Sequence, residues 1–125
     1  MRRVLVVDDN EDIRYLMQVI LTAGGYHVEV ASDGVEAIAA QQRQAFDLII
    51  TDLFMPHQDG IETIATLRKS FPEVRVIAVS GGGRLLASTG YLATALAIGA
   101  NAALAKPFDP ELLLQTVRSV LAAQP

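Results

Sequence analysis

Apolar runs of strand length alternate with segments of helical period five times along the chain. Residues 3–7 form a nearly continuous apolar run that ends in Asp8 and Asp9, as expected of a strand buried on both faces. Ile13, Leu16, Met17, Ile20 and Leu21 then recur at helical spacing until Gly24 and Gly25 stop them. Tyr26, Val28 and Val30 alternate with His27 and Glu29, the pattern of a half-exposed edge strand. Asp33 followed by Glu36 reads as a capping box opening a second helix to about Gln44, and residues 47–51 are again a buried run. Asp59 can cap a third helix carrying Ile61, Ile64, Ala65 and Leu67, which ends before Pro72. A fourth strand is predicted over 74–79, a fourth helix within 86–98 and a short fifth strand over 102–105. The last helix has Asp109 at its N-cap, Pro110 at its first position and Leu113, Val117, Val120 and Leu121 on its inner face.

Repeated βα units with right-handed crossovers make a parallel sheet with helices on both faces. The fold class expected is therefore α/β, a single doubly wound (βα)5 domain. At 125 residues the chain suits one domain, and no low-complexity linker divides it. The absence of cysteine removes disulfides, thiolate metal sites and a cysteine nucleophile together. A hydrophobic share of 51% against 19% charged excludes intrinsic disorder. The net charge of −4, with no cluster of Lys or Arg, argues against direct binding of nucleic acid. Asp8 and Asp9 cut short the only stretch resembling a signal peptide. Residues 85–105 are uncharged and long enough to cross a bilayer, but Ala, Gly, Ser, Thr and Asn dominate them. The expectation is a protein without a membrane span, working in the cytoplasm. The start at Met1 favours a complete protein, with an excised domain of a larger regulator or hybrid kinase as the alternative.

In doubly wound sheets, ligands bind outside the carboxyl ends of the strands. Here those ends carry Asp8-Asp9, Asp52, Ser80 and Lys106-Pro107. Carboxylates about 4 Å apart repel by about 4 kcal/mol per pair at an effective dielectric near 20. Something positive among them relieves that cost. A hard divalent ion that prefers oxygen suits the set, Mg²⁺ first and Mn²⁺ as an alternative. Lys106 adds a fixed positive charge, and a pocket so neutralised can receive a phosphoryl group. Gly81-Gly82-Gly83 lacks the Lys and Ser/Thr of a P-loop and reads as a loop beside the site. His27 and His57 lack metal-ligand spacing and are expected at the surface.

Residues 4–9, the run Asp52-Leu53-Phe54-Met55-Pro56 with Asp59-Gly60, Ser80 and Lys106-Pro107-Phe108 together resemble the receiver domain of two-component response regulators. The resemblance covers the whole chain, residues 1–125, and is closest to chemotaxis-type and stand-alone receivers. It implies a sheet in the order 2-1-3-4-5. Asp52 would accept a phosphoryl group from a histidine kinase or a histidine phosphotransfer protein. Asp9 would bind Mg²⁺ directly, Asp8 mostly through water, and the Phe54 backbone carbonyl would be a further ligand. Ser80 and Lys106 would hold phosphoryl oxygens, the Gly81 amide would lie beside them, and the Lys106–Pro107 peptide would be cis.

Two departures bear on output. Receivers commonly carry an aromatic residue three positions before the lysine, where this chain has Ala103. The span from Ser80 to Lys106 is also longer than usual, with the surplus in 81–90. Signal transmission is therefore expected to run through Ser80 and the glycine loop. An apolar face formed by Leu86, Tyr91, Leu92, Leu96 and Ile98 is expected to bind a partner or a second copy of the chain.

The leading expectation is a phosphoacceptor signalling module that catalyses only its own phosphorylation and dephosphorylation. Two alternatives stand beside it. One is a pseudo-receiver that only binds partners. The other is a Mg²⁺-dependent phosphohydrolase with an aspartyl-phosphate intermediate, which Asp8-Asp9-Asn10 fits poorly because such enzymes use Asp-x-Asp.

Overall fold

Strands β1 (Arg3–Val7), β2 (His27–Ala31), β3 (Leu48–Asp52), β4 (Arg75–Ser80) and β5 (Ala102–Ala105) pair in parallel in the order β2-β1-β3-β4-β5. The computed structural model describes residues 1–53, 60–80 and 93–122. Helices α1 (Glu11–Ala23), α2 (Gly34–Arg43), α3 (Gly60–Ser70), α4 (described over 93–97) and α5 (Pro110–Ala122) connect and follow the strands. Both the α/β class and the strand order match the sequence expectation. Strands β3 and β4 each begin one residue later than the apolar runs indicate. The Asp47 backbone, at the first edge of that run, instead bonds outside the regular ladder, to Arg3 and Arg75.

Alternation along the buried strands sends side chains into two cores. Leu5, Val7, Ile49, Val76 and Ala78 pack against α2, α3 and α4, with Ala37, Ile64, Leu67 and Ala95. Val4, Val6, Leu48, Ile50, Ile77 and Val79 pack against α1 and α5, with Met17, Leu21, Leu113 and Val117. Strand β2 is an edge strand as expected, but its alternation holds only in part: Val28 is half-buried beside exposed His27, whereas Val30 is exposed, Glu29 is half-buried and Ala31 is buried.

Local capping explains where the helices start. The Asn10 side chain accepts from Ile13 N at 3.1 Å and caps α1. Asp33 accepts from Glu36 N at 2.9 Å and caps α2. The returning half of that box differs from expectation. Glu36 reaches the backbone N–H and hydroxyl of Ser32, one residue before the cap, at 3.1 and 2.7 Å. These bonds, the Ser32 hydroxyl first, hold the Glu36 carboxyl below its usual pKa. Asp109 accepts from Leu112 N at 2.7 Å in front of α5. The proposed cap at Asp59 lies outside the described residues.

At the end of the sheet away from the acids, Arg68 ties α3 to the segments that lead into β4 and β5. Its guanidinium donates to the carbonyls of Gly99, Pro72 and Val74 and to Asn101 Oδ1, which also accepts from Val76 N. Burial lowers its pKa. Gly99 sits at φ +126°, and a Cβ there would meet Arg68 Cγ at 2.5 Å.

Gly60 decides how closely α3 approaches the end of β3. Its N–H donates to Leu53 O at 3.1 Å. A Cβ on Gly60 would overlap the Asp52 carbonyl oxygen and lie 2.6 Å from Leu53 Cα, both backbone atoms that cannot swing aside. Gly60→Ala is therefore expected to destabilise the fold by about 2–3 kcal/mol, at the upper end of overpacking costs. Urea unfolding checks this, and an unchanged midpoint would show that α3 can move away freely.

Candidate functional site

The β1 and β3 ends sit side by side, because Val7 pairs with Thr51 in the parallel register. That places Asp8 and Asp9 beside Asp52, and one carboxylate oxygen from each lies within 4.8 Å of the others. Asp8 is 2% exposed and Asp52 7%, whereas Asp9 stands open to solvent. The β4–β5 register brings Lys106 to the same edge, with Lys106 N donating to Ser80 O at 2.7 Å. Its ammonium donates to Asp8 Oδ2 at 2.9 Å and lies 3.6 Å from Asp52 Oδ2.

Each polar group of Asp8 is engaged. Its N–H donates to Ala31 O, its carbonyl accepts from Arg14 Nη1 at 2.8 Å, and Oδ1 accepts from Asn10 N at 2.9 Å. Oδ2 carries the lysine contact. The Asp9 carboxylate makes no hydrogen bond or ion pair among the described residues, which leaves its oxygens available.

Burial is the largest influence on Lys106 and pushes its pKa down. The Asp8 hydrogen bond and the charges of Asp52 and Asp8 together outweigh it, so the ammonium titrates above the usual lysine value. The stabilisation it contributes is complete below the unfolded lysine pKa and is lost as pH rises through the higher folded value. Lys106→Ala leaves two buried carboxylates facing each other, and without metal it is expected to cost about 2 kcal/mol. That lies below the figure for a fully enclosed pair because the Lys106 side chain is 21% exposed. Mg²⁺ should then raise the melting temperature of the variant more than that of the wild type. Equal shifts in thermal melts with EDTA and with Mg²⁺ would contradict this.

Ser80 ends β4 one residue beyond Val79, the register partner of Asp52. Its hydroxyl is fully buried and has no hydrogen-bond partner among the described residues. Buried hydroxyls are almost always paired, so this one is available to a group that enters the site. The Lys106–Pro107 peptide is cis, Phe108 packs against the α1–α5 core, and Ala103 is half-buried on β5 opposite Ala78. Phe54 and Gly81 lie outside the described residues.

The sequence had assembled Asp8, Asp9, Asp52, Ser80 and Lys106 at one sheet edge, and the structure brings them there. It adds Asn10 and Arg14, whose bonds to Asp8 carry no signal in the hydrophobic pattern, and Gly60, whose neighbours are backbone atoms.

A family model for the response regulator receiver domain matches residues 4–118. The chain belongs to that family. As a receiver domain it is a module of two-component systems. It is 36% identical over 118 residues to the CAI-1 autoinducer sensor kinase/phosphatase CqsS of Vibrio cholerae, covering 93% of this chain and 17% of that protein. It is 34% identical to the response regulator MprA of Mycobacterium leprae, covering 95% of this chain and 50% of that protein. The receiver thus spans half or less of these curated relatives.

Among solved structures, the chemotaxis protein CheY4 of Vibrio cholerae superposes with a TM-score of 0.86 at 36% identity, covering 96% of this chain and 98% of that one. The receiver domain of NtrX from Brucella abortus gives 0.89 at 30% identity, covering 97% and 99%.

Other features of this receiver concern its surface. Of the apolar face expected around α4, Leu96 is 48% exposed, while Ile98 packs against the α2–α3–α4 core. Leu86, Tyr91 and Leu92 lie outside the described residues. Among the described residues, no helix is long and apolar enough to cross a membrane. His27 is exposed and lies 3.2 Å from Glu29, and His57 is outside the described residues.

Proposed function

We propose that this receiver, the whole of residues 1–125, accepts a phosphoryl group on Asp52 from a phosphohistidine of a histidine kinase or phosphotransfer protein. The modified domain then changes which protein it binds. The observation that carries this reading is the division of the three acids. Asp8 and Asp52 are buried and share Lys106, while exposed Asp9, in the same 4.8 Å cluster, has no hydrogen bond or ion pair among the described residues.

That donor set suits Mg²⁺, which takes a few carboxylate oxygens and keeps several waters; Mn²⁺ accepts the same ligands. Asp9 would bind it directly with Asp52 and the Phe54 carbonyl. Asp8, whose oxygens are already committed to Lys106 and Asn10, would act mostly through water. When bound, the ion supplies positive charge beside the oxygens of the transferring group.

The residues of the chain do the remainder. An Asp52 carboxylate oxygen forms the new O–P bond as the donor's N–P bond breaks. The donor imidazole keeps the bonding pair and takes a proton from water. Lys106, already 3.6 Å from Asp52, can pair with one phosphoryl oxygen, and the Ser80 hydroxyl can donate to another. On α1, which starts two residues beyond Asp9, Tyr15, Leu16 and Val19 stand exposed beside Asp12. This apolar surface adjoining the acids suits a protein that delivers the phosphoryl group.

Intact-protein mass spectrometry with acetyl phosphate and Mg²⁺ tests the reading. One added phosphoryl group, prevented by EDTA, is expected. An unchanged mass would leave a pseudo-receiver that only binds partners.

A further inference from the structure

Asp9 has no side-chain partner among the described residues to aim it, so its direction depends on its backbone. The peptide unit from which it departs begins at the Asp8 carbonyl. That carbonyl accepts from Arg14 Nη1 at 2.8 Å, reaching back from the first turn of α1. The Arg14 side chain is half-buried, and its backbone N–H is bonded to Asn10 O at 3.0 Å, so the donor stands on an ordered turn. Asn10 is tied in turn to Asp8 Oδ1 and to Ile13 N. Removing Arg14 would leave the Asp8 carbonyl, at the end of a buried strand, without this donor.

Resting on the metal reading above, we propose that Arg14 is a positioning residue: by clamping the Asp8–Asp9 peptide it aims the Asp9 carboxylate and sets the divalent-cation affinity of the site. Charge and position act here with opposite signs. A guanidinium near the acids repels a dication, so if Arg14 acted through its charge alone its removal would tighten metal binding. If it acts through the clamp, its removal weakens binding. Outer hydrogen bonds that orient metal ligands commonly change affinity by about 10- to 100-fold.

The test is titration calorimetry of Mg²⁺ into the full chain, with amide nuclear magnetic resonance of the metal-free protein. Arg14→Met keeps the apolar stem and loses both charge and donors. Its dissociation constant is expected to rise about tenfold, and the Asp9 amide of the metal-free variant should show increased motion. Arg14→Lys keeps the charge and one donor but not the planar fork, and should fall between wild type and Met, about threefold weaker. An unchanged or tighter constant in either variant that folds, judged by circular dichroism, overturns the proposal. So does an Asp9 amide identical to wild type. Failure of the wild type itself to bind Mg²⁺ would instead overturn the metal reading, and the clamp with it.

Discussion

Asp52→Asn is expected to gain no phosphoryl group from acetyl phosphate and Mg²⁺ under conditions that modify the wild type fully. The substitution keeps the shape of the side chain and removes the anionic oxygen that would attack phosphorus. Neither neighbour can replace it easily. Asp8 has Oδ1 on Asn10 N and Oδ2 on Lys106, and it is 2% exposed. Asp9 is open, but in the proposed arrangement its oxygens hold the metal. The variant should fold, because the amide occupies the same volume and one repulsion within the acid cluster disappears. Intact mass and peptide mapping give the answer. A stable phosphoryl group on another acid, at a rate near that of the wild type, would reassign the acceptor.

The second large effect concerns the metal. Asp9→Ala should weaken Mg²⁺ binding by about a hundredfold, because it deletes the most exposed of the three carboxylates, the one with no competing contact among the described residues. Asp8→Ala should cost only about tenfold, the scale of an outer-sphere change, since its oxygens already serve Lys106 and Asn10. The two variants should also differ in stability. Asp9→Ala removes an exposed charge from a crowded cluster and leaves the fold intact, whereas Asp8→Ala breaks the contact with Lys106 and frees the Asn10 amide. Calorimetric titration beside urea unfolding separates these effects. Equal losses of affinity would show that the burial difference between Asp8 and Asp9 does not divide their roles.

Much of this protein was legible from residue order alone, for a physical reason. Strands buried on both faces must be largely apolar, and helices on a sheet must be apolar along one stripe, so the runs 3–7, 47–51 and 74–79 announce themselves, each within one residue of its strand, against Leu113, Val117 and Leu121. Once βα units repeat, parallel pairing sends every strand end to one edge, and acids at 8, 9 and 52 must meet a lysine at 106. Tertiary structure decided what depends on distance rather than period. It buried Asp8 and Asp52 beside Lys106, which follows β5 and lies 98 residues along the chain from Asp8, and left Asp9 open. It buried the Ser80 hydroxyl with no partner among the described residues, required glycine at 60 through two backbone neighbours, and turned Arg14 back onto the Asp8 carbonyl. It also moved the returning half of the α2 cap from Asp33 to Ser32. A side chain's choice among several donors and acceptors is settled by differences of an ångström, and those are fixed only when the elements have packed.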